Sequence, residues 1–89
     1  MIRTTWQIQT DDTTHTVSYS LNRLTGRMVV KVDEDEFSLS AGFLAMNAVR
    51  REPFRIVGAD GEAEQAVLVV DQKGRASLIF RKKMIAPVS

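Results

Sequence analysis

Polar and apolar residues alternate along most of the chain. In "TTWQIQT", Trp6 and Ile8 stand between polar neighbours, and in "THTVSYSLN" Val17, Tyr19 and Leu21 alternate with Thr16, Ser18 and Ser20. A period of two sends successive side chains to opposite faces, so each stretch predicts a strand with one buried and one wet face. Asp11-Asp12 between them predicts a hairpin turn. "RMVVKVD" continues the pattern, with Met28, Val30 and Val32 on one face and Val29 and Lys31 on the other. Asp33-Glu34-Asp35-Glu36 closes that strand, and Phe37-Ser38-Leu39 opens a short fourth.

The second half reads similarly. "FRIV" predicts a strand, Gly58-Ala59-Asp60-Gly61 a turn, and "EQAVLVVD" a strand that is more continuously apolar than the others. Gln72-Lys73-Gly74 turns the chain into "RASLIFRKKM", the last clear strand, and "APVS" is a tail. Between the halves, Phe43, Leu44 and Met46 predict either a short helix near residues 41–50 or an irregular crossover that plugs the core. Pro53 stops any such helix at Glu52. About seven to eight short strands with frequent turns predict an all-β fold, an antiparallel β-sandwich or small barrel. At 89 residues the expectation is a single domain spanning 1–89.

Gly26-Arg27 is echoed by Gly74-Arg75, an offset of 48 residues. Applied without gaps, this offset also sets Ile8 on Ile56, Asp12 on Asp60, Trp6 on Phe54, Tyr19 on Val67 and Leu21 on Val69. Val30 falls on Leu78, Val32 on Phe80 and Phe37 on Ile85. The expectation is two similar halves, roughly 3–40 and 51–86, because a one-residue slip would turn buried side chains outward. Gly26 and Gly74 both follow polar turns, where a positive φ is needed. The same offset opposes charges, with Asp33 on Arg81, Glu34 on Lys82 and Asp35 on Lys83. These clusters are expected either to meet, within a molecule or between copies, or to stand as solvated strand ends that keep sheet edges from pairing.

Composition narrows the chemistry. Twelve basic against eleven acidic residues leave a net charge of +1, so no global field draws the chain to nucleic acid or to an anionic membrane. There is no cysteine, which removes disulfides, thiol catalysis and thiolate metal sites. "MIRTTWQIQT" lacks an apolar signal core, and no later run approaches the ~20 residues of a membrane span, so a cytoplasmic, non-membrane location is expected.

His15, the single histidine, could act as a base only with an orienting carboxylate and a nucleophile, for which Asp12 and Ser18 lie near in sequence. It shares the parity of Val17 and Tyr19, so a place at the core edge is expected instead. The acidic run lacks the alternating ligands and mid-loop glycine of a calcium loop. The two Gly-Arg pairs precede no helix and are not phosphate loops. No catalytic, cofactor-binding or metal-ligating residue is therefore predicted, and no cofactor.

The motifs "W-Q-I-Q", "H-T-V-S-Y-S-L-N", "G-R-M-V-V-K-V-D", the aromatic-aliphatic Phe43-Leu44 and "F-R-I-V-G" together resemble the Fas apoptotic inhibitory molecule family and its bacterial look-alikes. The resemblance runs from about Trp6 to Phe80 and rests mostly on core and turn residues. It implies a compact all-β domain that acts by binding protein partners, without catalysis. The chain departs from the family where Glu34 follows Val32-Asp33 in place of a glycine, and where the closing strand ends in Arg81-Lys82-Lys83.

The expected function is a non-enzymatic binding module, for protein–protein interaction or self-association, including a homodimer. Its candidate surface comprises Asp33, Glu34, Asp35 and Glu36, then Arg50, Arg51 and Arg55, and finally Arg81, Lys82 and Lys83. The alternative is a small nucleic-acid binder using the Arg50–Arg55 and Arg81–Lys83 basic residues, against which the low net charge argues.

Overall fold

The computed structural model describes residues 2–10, 13–22, 24–40, 50–58 and 61–88. Within them the chain forms two four-stranded antiparallel meanders. One sheet is β1 (Ile2–Gln9), β2 (Thr14–Asn22), β3 (Arg27–Val32) and β4 (Asp35–Ser40). The other is β5 (Arg50–Val57), β6 (Ala63–Val70), β7 (Ala76–Phe80) and β8 (Lys83–Ile85). The expected all-β sandwich of two similar halves is the observed one. Residues 41–49, where a helix was one expectation, lie outside the described residues, and Arg50 already belongs to β5.

One core lies between the sheets. Trp6, Ile8, Val17, Tyr19, Leu21, Met28 and Val30 meet Ile56, Ala66, Leu68, Val70, Leu78 and Phe80 there, all buried. These are the inward halves of period-two strands, each fully buried aliphatic side chain stabilising the fold by roughly 1.5–3 kcal/mol. At one corner Phe37 of β4 meets Phe54 of β5, ring centroids 6.3 Å apart and tilted by 51°. Trp6 and Ile85, the positions 48 residues away from Phe54 and Phe37, line a depression of about 230 Å3 at the other corner. The Val88 N–H donates to the Thr5 carbonyl at 2.8 Å, so the tail adds a backbone contact to the edge of β1.

The repeat is real but not ungapped. β1 maps onto β5 and β3 onto β7 at 48 residues, yet β6 is displaced by one. Trp6 pairs with Val17, whereas Phe54 pairs with Ala66 and not with Gln65. Tyr19 therefore corresponds to buried Leu68 and Leu21 to buried Val70, which corrects the expected matches to Val67 and Val69. The cause is turn length. The β1–β2 connection is residues 10–13 and the β5–β6 connection residues 58–62, one residue longer. The following turn removes it: Leu21↔Met28 encloses residues 22–27, while Val70↔Ala76 encloses only 71–75. "RASLIFRKKM" is likewise not one strand. It breaks at Arg81-Lys82, both at positive φ (52° and 61°), and Lys83–Ile85 returns as β8. Two positive φ values in a two-residue loop are those of the hairpin turn whose twist matches its strands.

The 71–75 turn fastens the sheets together. Asp71 Oδ1 accepts from the backbone N–H of Arg75 (2.9 Å) and of Lys73 (2.8 Å), and these bonds hold its carboxyl below the usual range. The turn presents the Gly74 carbonyl to the buried Tyr19 hydroxyl, which donates at 2.9 Å. Burial first, and then the charge of Asp71, push the Tyr19 phenol up to about 12. Gly74 has φ +82°, and a Cβ there would stand 2.4 Å from Leu21 Cδ2. Its counterpart Gly26, at φ +71°, has nothing within 4 Å of such a Cβ. Gly26→Ala should cost about 1–2 kcal/mol, the left-handed backbone alone. Gly74→Ala should cost a further 1–3 kcal/mol from overpacking. Urea unfolding of both variants measures the gap, and equal losses would show that Leu21 yields freely.

Candidate interaction surface

The sequence-predicted residues fall at three places. Asp33 and Glu34 form the β3–β4 turn, with Asp35 and Glu36 opening β4. Arg50, Arg51 and Arg55 lie on β5, an edge strand, while Arg81 and Lys82 make the β7–β8 turn and Lys83 opens β8. Several of these side chains are engaged within their own half. Asp33 Oδ2 accepts from His15 Nδ1 at 2.7 Å, and its Oδ1 accepts the Thr16 N–H at 2.9 Å. Arg81 donates twice to Glu64, at 2.8 and 2.6 Å, and its guanidinium lies 5.1 Å from the centre of the Phe80 ring. Arg50 Nε donates to Glu52.

The two cross-strand pairs occupy equivalent positions. Glu64 stands where the displaced repeat puts His15, and Arg81 where it puts Asp33. Asp33 and Arg81 both have positive φ, 55° and 52°, though Lys82 follows at φ 61° and Glu34 has no positive φ. One scaffold thus carries the basic side chain on the strand in one half and on the turn in the other. Of the opposed charge clusters, Asp33 and Arg81 find these partners on neighbouring strands of their own sheets.

His15 is 3% exposed, at the core edge as its parity predicts. Ser18 sits at the opposite parity of β2, so it faces the other side of the sheet from His15. Among the described residues no group of three or more acidic or histidine side chains is placed to hold a metal ion. No helix among them is long and apolar enough to cross a membrane.

The outward faces of the two sheets differ sharply in chemistry. The first sheet shows rows Arg3–Ser20–Val29–Ser38 and Thr5–Ser18–Lys31–Glu36. Its shallow depression of about 440 Å3 is floored by Thr16, Ser18 and Ser20. The second sheet shows Arg51–Val69–Ser77 and Pro53–Val67–Ile79–Met84 at the same places. Ser18, Ser20, Lys31 and Glu36 are thus replaced by Val67, Val69, Ile79 and Met84. Thr5 becomes Pro53, and Gln9 becomes Val57; only Val29 against Ser77 runs the other way. Met84 is 72% and Val57 58% exposed. Arg51 and Arg55, both exposed, flank this apolar surface on β5. Sequence reasoning placed Val67 and Val69 in the core and so missed the face. The signal was the unbroken apolar run of β6, which marks a strand covered on both sides.

Asp33 supplies a pH test. Burial raises its pKa, but the bonds from His15 and Thr16 and the His15 charge outweigh this and leave it below 3.8. A carboxyl lowered by folding contributes stability above its unfolded pKa and loses it as pH falls through the folded one. Asp33→Asn keeps a residue that tolerates positive φ and should flatten the acid side of the stability curve between about pH 5 and pH 2. Urea midpoints across that range measure it; an acid limb identical to the parent's would remove Asp33 from the linkage. Compared with family models, with curated proteins and with solved structures, the chain matches none.

Proposed function

We propose that this protein is a non-enzymatic binding module that docks a protein partner on the outward face of β5–β8. The observation that carries the reading is the inversion between equivalent positions: hydroxyls and charges on one sheet, Val67, Val69, Ile79 and Met84 on the other. A sheet face left to water is served by residues like those of the first sheet, whereas a contiguous apolar strip with a charged border has the anatomy of a contact surface. The resemblance to the Fas apoptotic inhibitory molecule family supports the same reading, since it implies an all-β domain that works by binding proteins.

The geometry favours protein over nucleic acid. Arg50 and Arg81 are each engaged by a carboxylate, Glu52 and Glu64. Phe80 is 4% exposed, so it offers no stacking platform of the kind that single-stranded nucleic acid uses.

The test transplants one face onto the other. Val67→Ser, Ile79→Lys and Met84→Glu combined should abolish binding of an apolar fluorescent dye by the native protein. Lost cross-strand contacts should cost less than about 3 kcal/mol in total. A loss above about 5 kcal/mol, on the scale of core truncations, would mean that this chain covers the face itself and would sink the reading. So would a native parent protein that ignores the dye.

A further inference from the structure

We infer that the occupant of this face is an amphipathic helix of another protein, with carboxylates spaced two turns apart along one flank. The inference rests on the docking reading above and adds the chemistry of the partner.

Charge selects it. The outward positions within β5 to β8 carry Arg51 and Arg55 and no Asp or Glu; beyond the strand ends Arg75 stands opposite Asp71. Two copies laid face to face would set guanidinium against guanidinium, and like charges across an interface are strongly disfavoured. The outward face of the first sheet offers only Val29 as an apolar match, since Ser18, Ser20, Lys31 and Glu36 surround it. A second copy of this chain therefore fits poorly on either of its sheet faces.

Shape selects it further. Val67, Val69 and Ile79 are half-buried among their neighbours and form a flat floor, with Met84 standing out at one edge and Val57 at the other. A membrane anchor instead reaches about 5–10 Å into the headgroup boundary with protruding side chains. A helix laid on a sheet is the ordinary way to cover a face that is apolar on both sides. Arg51 and Arg55 are four residues apart on the same face of β5, hence about 13 Å along the strand. Two helical turns span about 11 Å, so two carboxylates at that spacing can each meet one guanidinium while the helix's apolar stripe rests on Val67, Val69, Ile79 and Met84.

The probe is a designed helical peptide with leucines on one stripe and two glutamates spaced two turns apart on its flank, titrated by fluorescence anisotropy. Two control peptides carry glutamine or lysine in place of the glutamates. The glutamate peptide should bind at least about tenfold more tightly than the lysine peptide, and should weaken as salt rises. Arg51→Glu with Arg55→Glu should invert that preference, so that the lysine peptide binds better; these exposed edge residues should leave the unfolding midpoint nearly unchanged. If all three peptides bind alike, the charge inference is overturned while the docking face stands. If none binds, the helix inference is overturned, and the dye experiment decides whether the face itself survives. Binding to anionic lipid vesicles without binding to the glutamate peptide would also overturn it, in favour of a membrane surface.

Discussion

The sandwich is held in register at Gly74. There the backbone of one half comes so close to the other that Leu21 fills the space a side chain would need, and the Tyr19 hydroxyl caps the turn's carbonyl. Both contacts are made by Gly74, the buried residue of the 71–75 turn, which is one residue shorter than its counterpart. That shortening is compensated by the longer β5–β6 connection, so β6 alone slides by one residue while β5, β7 and β8 keep their places. The pseudo-symmetric site is different: Leu68 stands in place of Tyr19, and Gly26 lies open. A buried phenol whose hydroxyl is satisfied from one direction cannot be duplicated without a second tight turn.

The slide has a chemical consequence on the far side of the sheet. In a strand the inward and outward sets interchange with every one-residue step. β6 reads Ala66-Val67-Leu68-Val69-Val70, so either register would have filled the core. Whichever set faces in, the other is left outside and is also apolar. In β2 the same ambiguity does not exist, because Ser18 and Ser20 can only face out. The apolar outward face is therefore the cost of a strand that accepts the slide, or the purpose of it. Ile79 and Met84 argue for purpose, since β7 and β8 keep the original register and are apolar outward all the same.

Most of the architecture was legible in the chain. Alternation located β1, β2 and β3 because each carries hydroxyls or charges on one face. The repeat was visible through Gly26-Arg27 and Gly74-Arg75, whose positive φ is a backbone demand. The slip was hidden because an insertion and a deletion in successive turns cancel, leaving both ends of the halves in phase. β8 was hidden because Arg81-Lys82 carries none of the glycine or asparagine that advertises a positive-φ turn. Of the candidate residues, Arg51 and Arg55 were legible as charges but their setting was not. Only the strand register shows that they border an apolar floor, while Arg50, their neighbour, turns to Glu52.

The reversed bridges show a position changing its charge while the two halves keep one scaffold. His15–Asp33 and Glu64–Arg81 close the same corner of each sheet with opposite polarity. Each bridge joins a strand to the turn that ends the neighbouring strand, with His15 buried in the first and both partners half-exposed in the second. The Arg81 version adds a guanidinium packed on Phe80, a contact worth about 0.5–1 kcal/mol at an exposed site. Reversal moves the basic group from strand to turn within its own sheet, from His15 on β2 in one half to Arg81 in the β7–β8 turn of the other. The halves thereby diverge in surface while the core between them stays common, which is the economy that duplication makes available to a chain of this length.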